Sequence, residues 1–263
     1  MKLATWNVNS VRTRLPRLLR WLDAWQPDVL CLQELKATNE NFPTEAVREA
    51  GYQVALHGQK TYNGVAILAR GKLEDVRCGL QDDSDDAQAR LISARVRGVR
   101  VLSAYVPNGG QVGSEKWHYK LTWLQRLRRH LERGFRPDEP LALCGDFNVA
   151  PQARDVCDPT AWETTVLFHP EARAALAHVA DWGLTDAFRL CHDEAGLYSW
   201  WDYRMLAFPK NQGLRIDHVF VTAPLERCCD AAVIDREERK GKQPSDHAPV
   251  VLTLNDAHAV RPA

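Results

Sequence analysis

The chain has 263 residues, of which 45% are hydrophobic and 26% charged, and its 34 basic and 34 acidic residues give a formal net charge of zero. This composition is typical of a globular protein, and no segment approaches the roughly 20 consecutive apolar residues of a membrane-spanning helix. A zero net charge gives no global indication of a polyanionic partner, so a surface that binds nucleic acid would have to be local.

The amino terminus and the cysteines indicate the cellular compartment of the protein. Residues 1–7 reach polar side chains too early to form the apolar core of a signal peptide, so we expect the mature chain to begin here and to stay in the cytoplasm. Seven cysteines without a CxxC spacing, with Cys31 and Cys144 inside apolar runs, favour reduced core thiols over disulfides or a zinc site. Because no repeat or flexible linker interrupts the chain, we expect one domain over residues 1–256 and a tail over residues 257–263.

In chain order, the first pattern is a helical stripe of apolar residues between Val11 and Trp25. Since proline fits best in a first helical turn, we expect this helix to begin near Pro16. The next predicted elements are strands at 29–33 and 65–69, an acidic loop at 82–86, a strand at 99–106, a helix from Trp117 to Leu131, a strand at 141–144, a helix at 172–182, and strands at 216–222 and 248–254. This mixed order favours an α/β or α+β sandwich.

Polar side chains recur at the ends of these strands. They are Asn7, Glu34, Asp146, Asn148, Asp217, Asp246 and His247. Because strand ends collect at one edge of a sheet, these side chains can converge on a hard cation with oxygen ligands, as Mg²⁺ has in proteins, and Mn²⁺ suits the same ligands. A divalent ion offsets the negative charge that builds up during phosphate-ester hydrolysis, and a histidine held by an aspartate would contact the attacking water or the phosphate.

Each of these residues also has an ordinary structural interpretation. Glu34 alone is a solvent-facing strand end, and an Asp246-His247 dipeptide is a turn at least as often as a site. The alternation of side chains along a strand places His218 on the face opposite Asp217, so we do not expect His218 to act directly. The segment Gly145-Asp146-Phe147-Asn148 is more informative, because it joins a buried strand and a turn-forming glycine to two oxygen-bearing side chains on one face.

Seven short motifs together specify a family. They are Trp6-Asn7-Val8-Asn9, Leu32-Gln33-Glu34-Leu35-Lys36, Tyr105-Val106-Pro107-Asn108-Gly109, Gly145-Asp146-Phe147-Asn148, Ser199-Trp200-Trp201-Asp202-Tyr203-Arg204, Leu214-Arg215-Ile216-Asp217-His218 and Ser245-Asp246-His247. Their order resembles the bacterial exonuclease III family, within the endonuclease/exonuclease/phosphatase superfamily, over essentially the whole chain. The resemblance implies a four-layer α/β sandwich in which two mixed β-sheets pack face to face between helices.

The same resemblance implies a set of catalytic and metal-binding residues. The metal residues would be Glu34 as the main ligand, Asn7 beside it, and Asp246 as a second-site or orienting carboxylate. The catalytic residues would be Tyr105 on the phosphate, Asp146 on the attacking water or leaving oxygen, Asn148 on the scissile phosphate, and His247 oriented by Asp217. Whether Asp146 or His247 is the general base stays open. Asn9 stands where human-type abasic endonucleases place an aspartate, which favours a single metal ion.

Contacts to DNA are predicted from local basic and aromatic residues. The candidates are Lys36, Asn108, Lys116, Lys120, Trp200, Arg204 and Arg215. In the aromatic loop that begins at Ser199, an apolar pocket would accept a sugar without its base, although core packing is an equal alternative for Trp200. The stretch at 155–170 differs from the better-known enterobacterial form, which leaves lesion preference open.

The sequence therefore predicts a DNA repair nuclease that depends on Mg²⁺. The expected activities are 3′→5′ exonuclease on duplex DNA, cleavage at abasic sites, and removal of 3′-blocking groups. We expect a monomer that needs duplex DNA but no membrane or obligate protein partner. The alternatives are a catalytically silent nucleic-acid-binding regulator on the same fold, which should have lost several site residues, and another phosphoesterase of the superfamily.

Overall fold

The computed structural model describes residues 1–82 and 84–255. The strands in these ranges are β1 (Lys2–Asn7), β2 (Val29–Gln33), β3 (Gln53–His57), β4 (Val65–Ala69), β5 (Glu74–Cys78), β6 (Leu91–Val96), β7 (Val99–Tyr105), β8 (Leu141–Asp146), β9 (Leu184–Asp186), β10 (Asp217–Thr222), β11 (Cys229–Ile234) and β12 (Val250–Leu254). The α-helices are α1 (Val11–Trp25), α2 (Thr44–Glu49), α3 (Glu115–Gly134), α4 (Pro159–Trp162), α5 (Pro170–Ala180), α6 (Ala187–Cys191) and α7 (Ala223–Glu226), and 3-10 turns lie at Ala153–Asp155 and Arg236–Arg239.

The strands form two six-stranded mixed sheets. The first has the order β11-β12-β1-β2-β4-β3 and the second has the order β5-β6-β7-β8-β10-β9. In each sheet one central pair is parallel, β1 with β2 and β7 with β8, and the other pairs are antiparallel. This confirms the predicted mixed sheets and α/β architecture.

Apolar side chains on both faces of each sheet produce four layers. One core lies between the sheets and includes Cys31 of β2 and Cys144 of β8. A second core joins the outer face of the first sheet to α1, and a third joins the outer face of the second sheet to α3 and α5. Strands covered on both faces read as continuous apolar runs, as β4 does, and the sequence predicted these strands best for that reason.

Local predictions differ from the structure at element ends and in five strands that the sequence analysis did not predict, which are β3, β5, β6, β9 and β11. The predicted start of the first helix near Pro16 is wrong, because α1 begins at Val11 and contains the proline. Buried Val11 donates its N–H to the carbonyl oxygen of Leu35 at 3.1 Å, which fixes the first turn independently of proline. The predicted helix at 172–182 begins two residues earlier, after the cap His169. The predicted tail over residues 257–263 lies outside the described residues.

Candidate active site

Four central strands bring the predicted polar residues to one edge of the sandwich. Asn7 ends β1, Glu34 follows β2, Asp146 ends β8 and Asp217 opens β10, directly opposite Asp146 in the strand register. Gly145 is required here, because its φ is 153° and an added Cβ would lie 1.9 Å from the carbonyl oxygen of Ala104. Glycine at this position therefore allows β8 to lie close to β7 and places Asp146 at the sheet edge.

Three side chains could hold a metal ion. Glu34, Asp146 and His247 each offer one ligand atom, and these atoms lie within 4.8 Å of one another. The Tyr105 hydroxyl donates to Glu34 Oε1 at 2.9 Å, and Lys36 Nζ lies 3.0 Å from Glu34 Oε2. Carboxylate oxygens near one another are the donors that hard divalent cations prefer. The carboxylates of Glu34 and Asp146 therefore fit such an ion, with Glu34 at the open side of the cluster.

Asn7 lies in this cluster but presents its nitrogen. Its Nδ2 donates to Glu34 Oε1 and to Asp146 Oδ2, both at 2.9 Å, while its Oδ1 accepts from the backbone N–H of Asn9 at 2.9 Å. In this orientation Asn7 joins the two carboxylates, and its oxygen is engaged elsewhere.

Asp246, predicted as a second-site or orienting carboxylate, has partners on both oxygens. Asn9 Nδ2 donates to Oδ1 at 2.9 Å, and the Trp200 indole N–H donates to Oδ2 at 3.0 Å. Burial acts to raise the pKa of Asp246, but the nearby His247 and these two hydrogen bonds lower it below its usual value. The geometry fits the orienting role, since Asp246 fixes the Trp200 ring.

Asp217 and His247 form a buried pair. His247 Nδ1 lies 2.8 Å from Asp217 Oδ2, which also accepts the Ser199 hydroxyl proton at 2.6 Å. The other ring nitrogen, Nε2, lies 3.7 Å from Asp146 Oδ2. Burial disfavours the charged ring, but the carboxylates of Asp217 and Asp146 raise the pKa of His247 to about 10.

Asp146 is buried and surrounded by polar groups. Burial, with the like charges of Asp217 and Glu34, raises its pKa to about 7, although His247 and the Asn7 amide act in the opposite direction. A carboxyl group whose pKa is near neutrality can exchange a proton with water or with a leaving oxygen at physiological pH.

Asn148 is held in an uncommon backbone conformation, with φ at 50°. Its N–H donates to Asp146 Oδ1 at 2.9 Å, and its Nδ2 donates to Asp146 Oδ2 at 3.3 Å and to the carbonyl oxygen of Val106 at 3.0 Å. Asn108 Nδ2 donates to Asn148 Oδ1 at 3.0 Å. Glu34 and Lys36 also have positive φ, at 51° and 52°. Left-handed conformations of such residues concentrate at functional sites.

Two predicted DNA-binding residues are buried, and this part of the prediction is wrong. Lys120 is 0% exposed and Arg215 is 1% exposed, so neither side chain reaches a surface that DNA could contact. Arg215 instead pairs with Asp155 and Asp186, each at 2.7 Å. A buried charge is costly unless it is paired, and the two carboxylates compensate the guanidinium inside the protein.

The other predicted DNA-binding residues line the open edge. A cleft of about 540 Å³ has Tyr105, Asn108 and Lys116 among its lining residues. A second cleft, of about 390 Å³, includes Trp200, Arg204 and Asp246. Lys116 and Arg204 are exposed, and Lys36 is partly exposed beside Glu34.

Within the aromatic loop the two adjacent tryptophans differ. Trp201 is 0% exposed and belongs to the core. Trp200 is partly exposed and contacts Trp162 edge to face, with ring centroids 6.1 Å apart. Trp201 is therefore a core residue, while Trp200, for which core packing was an equal alternative, borders a cleft.

His218 lies where the sequence predicts, but other residues of the site were not predicted. His218 is buried, and its Nε2 lies 2.9 Å from the carbonyl oxygen of Val149, away from the Asp217 side chain. Ser199 belongs to one of the seven motifs but was assigned no role, although its hydroxyl donates a hydrogen bond to Asp217 Oδ2. Trp162 and Arg90 line clefts at this edge, and no local pattern indicated them.

Comparisons with known proteins agree with this geometry. The model of the Endonuclease/Exonuclease/phosphatase family matches residues 4–247. The chain is 36% identical to exodeoxyribonuclease III of Haemophilus influenzae over 95% of this chain and 98% of that protein. An AP endonuclease structure from Archaeoglobus fulgidus has a TM-score of 0.94 and 39% identity, covering 97% of this chain and 99% of the other. The Neisseria 3′ phosphatase NExo, bound to a product DNA hairpin, has a TM-score of 0.93 and 40% identity, covering 97% and 99%.

Proposed function

Because the chain belongs to the endonuclease/exonuclease/phosphatase family, we propose that it is a DNA repair nuclease that hydrolyses phosphodiester bonds and processes 3′ ends. The observation that supports this best is the convergence of Glu34, Asp146, Asn148, Asp217 and His247 on one open edge. We further propose 3′→5′ exonuclease, abasic-site endonuclease and 3′-phosphatase activities on duplex DNA.

The residues divide the chemistry between them. Asn148 and His247 hold the scissile phosphate, with Asp217 fixing the imidazole through Nδ1. Asp146 lies between them and exchanges a proton with the attacking water or the leaving oxygen. Tyr105 contacts the phosphate through its hydroxyl. We propose that Asp146 is the general base, because the carboxylates around His247 raise its pKa and favour the charged ring, while burial raises the pKa of Asp146.

Glu34 is the proposed ligand of a divalent ion, which we propose is Mg²⁺, with Mn²⁺ as a substitute. Such an ion would offset the charge that develops on the phosphate oxygens. Asn7 fixes the Glu34 carboxylate, and Lys36 balances its charge. Asn9 in place of an aspartate leaves one fewer carboxylate nearby, which supports a single-ion site.

Contacts to DNA are proposed for the exposed edge. Lys36, Asn108, Lys116 and Arg204 would contact the backbone, and Trp200 would pack against the sugar or base next to the scissile bond. Among the described residues, every helix is too short or too polar to cross a bilayer. A cytoplasmic location, a monomeric state and the lack of an obligate protein partner stay predictions.

A direct test compares three substrates. A blunt duplex, a duplex with a 3′-phosphate and a duplex with an internal abasic site are incubated with and without Mg²⁺, and an inositol phosphate tests for another phosphoesterase. We expect turnover of the DNA substrates that EDTA abolishes. Binding of DNA without cleavage of any substrate would instead support the silent regulator.

A further inference from the structure

Lys120 of α3 carries an amino group that the proposed chemistry does not use, and although burial lowers its pKa to about 7, its three carbonyl acceptors favour the charged form. Its side chain is 0% exposed, and Nζ donates to the carbonyl oxygens of Asn148 and Val166, each at 2.6 Å, and of Asn108 at 3.1 Å. An ammonium group has three N–H donors, so all three have acceptors. Burial of a charge is costly unless such partners compensate it, and this lysine is therefore fully committed to main-chain contacts.

The three carbonyl groups come from three separate loops. Asn108 follows β7, Asn148 follows β8, and Val166 precedes α5. Two of these loops carry side chains that face the reaction site, and their amides contact each other at 3.0 Å. Lys120 thus lies behind the site and joins all three loops, in addition to the backbone hydrogen bond from the Ala150 N–H to the carbonyl oxygen of Leu167 at 2.8 Å.

The contact to Asn148 is the one with a chemical consequence. Asn148 has a positive φ of 50°, a left-handed conformation that asparagine adopts more readily than most residues. Its carbonyl oxygen points to Lys120, while its side chain bonds Asp146 and accepts from Asn108. Packing around the lysine is tight, because a Cβ on Gly109 would lie 3.0 Å from Lys120 Cδ. The lysine therefore fixes the main chain from which the Asn148 amide projects.

We propose that Lys120 is a positioning residue that holds Asn108 and Asn148 against the scissile phosphate by binding their carbonyl groups. The inference rests on the proposed function, which assigns Asn148 to the phosphate. It replaces the expectation that Lys120 contacts DNA directly. The effect of Lys120 on the reaction passes through the placement of Asn148, so it concerns turnover rather than DNA affinity.

Two lysines one turn apart on α3 allow a matched test. Lys120→Met keeps the length of the side chain and removes its donors, while Lys116→Met removes an exposed charge from the cleft beside Asn108. For each variant, kcat and KM are measured on the 3′-phosphate duplex with Mg²⁺. Affinity for the same duplex is measured by fluorescence anisotropy in EDTA, and Tm is recorded so that assays run below unfolding.

The two variants should change different kinetic constants, kcat in Lys120→Met and KM in Lys116→Met. A displacement of about 1 Å at a reacting group costs on the order of 10²-fold in rate, so Lys120→Met should lower kcat by about that factor. Its KM and DNA affinity should stay within about threefold of wild type, because no DNA contact is lost. Lys116→Met should weaken DNA affinity and raise KM while kcat stays within about threefold.

A wild-type kcat in Lys120→Met would overturn the proposal, and so would a raised KM with unchanged kcat. If Lys120→Met does not fold, Lys120→Gln, which keeps an amide donor on a shorter chain, is measured by the same criteria and decides the question. Wild-type protein in each assay distinguishes failure of the proposed function from failure of the Lys120 proposal. No DNA cleavage by wild type would remove the proposed function and this inference together, whereas active wild type with an unaffected variant would remove only the role of Lys120.

Discussion

Replacing Asp217 by asparagine removes one negative charge from the centre of the site and changes the shape of the side chain little. The Asp217 carboxylate is 0% exposed, and its Oδ2 accepts hydrogen bonds from His247 Nδ1 at 2.8 Å and from Ser199 at 2.6 Å. An asparagine oxygen in the position of Oδ2 can keep both hydrogen bonds. The fold should therefore persist, while His247 loses its main counter-charge.

The distance between the two groups sets the size of the effect. Opposite unit charges 2.8 Å apart attract by about 6 kcal/mol at an effective dielectric constant of about 20. Without this attraction, burial lowers the pKa of His247 from about 10 to well below that value. Loss of a correctly protonated and oriented histidine should then lower kcat on the order of 10²-fold to 10⁴-fold.

The Asp217→Asn substitution should also destabilise the fold to an extent that depends on pH. The pKa of His247 is higher in the folded state, about 10, than its ordinary value of 6.5. Such a group stabilises the fold fully below the lower value, and this contribution is lost as the pH rises through the upper value. Asp217→Asn should therefore destabilise the metal-free protein most at pH 6 and least near pH 10.

The assays are kcat on the 3′-phosphate duplex at saturating Mg²⁺, urea unfolding at both pH values, and NMR titration of His247 in metal-free protein. Asp138→Asn is the control, because it removes an exposed carboxylate paired only with Arg136. A folded Asp217→Asn variant with kcat within about threefold of wild type would refute the assigned role of the Asp217–His247 pair.

Three further predictions test other parts of the site. Glu34→Gln should abolish Mg²⁺-dependent release of 3′-phosphate while DNA binding in EDTA persists, and full turnover in this variant would exclude Glu34 as the ligand. Arg215→Met removes a cationic partner from both Asp186 and buried Asp155, which keeps Arg189, and should cost about 3–5 kcal/mol in urea unfolding, with KM for DNA unchanged; a stable variant with a raised KM would restore the DNA-binding interpretation. Trp200→Ala should raise KM for abasic duplex on the order of tenfold through lost stacking, measured against the blunt duplex, and equal KM values for both proteins would argue against it.

The sequence predicted the parts of the fold that depend on local pattern. Continuous apolar runs such as Val65–Ala69 identified buried strands, because strands covered on both faces need apolar residues at every position. Helix ends were less accurate. Pro16 predicts a helix start, but Val11 packs into the core and its N–H bonds to the loop after β2, and such a tertiary contact overrides a local preference.

The site was also predictable where residue type and strand position coincide. Glu34, Asp146 and Asp217 lie at strand ends, and the order of strands in two sheets brings them together. Ser199 and Trp162 were not predictable from pattern alone, because their importance depends on which partner lies opposite them.

Lys116 and Lys120 show what the sequence does not predict, namely which of two nearby lysines is buried. By composition both are basic residues beside a predicted DNA-binding loop, and the sequence alone placed both on DNA. The helical stripe that contains Trp117 and Leu124 also passes through Lys120, which was a signal for burial. Only the tertiary structure provided the carbonyl acceptors, since they come from loops up to 46 residues away in the chain. The sequence by itself determined the most apolar strands, the long helices and the chemical set, because local periodicity and residue type encode them. The tertiary structure decided which cations face DNA, because burial depends on contacts between distant segments.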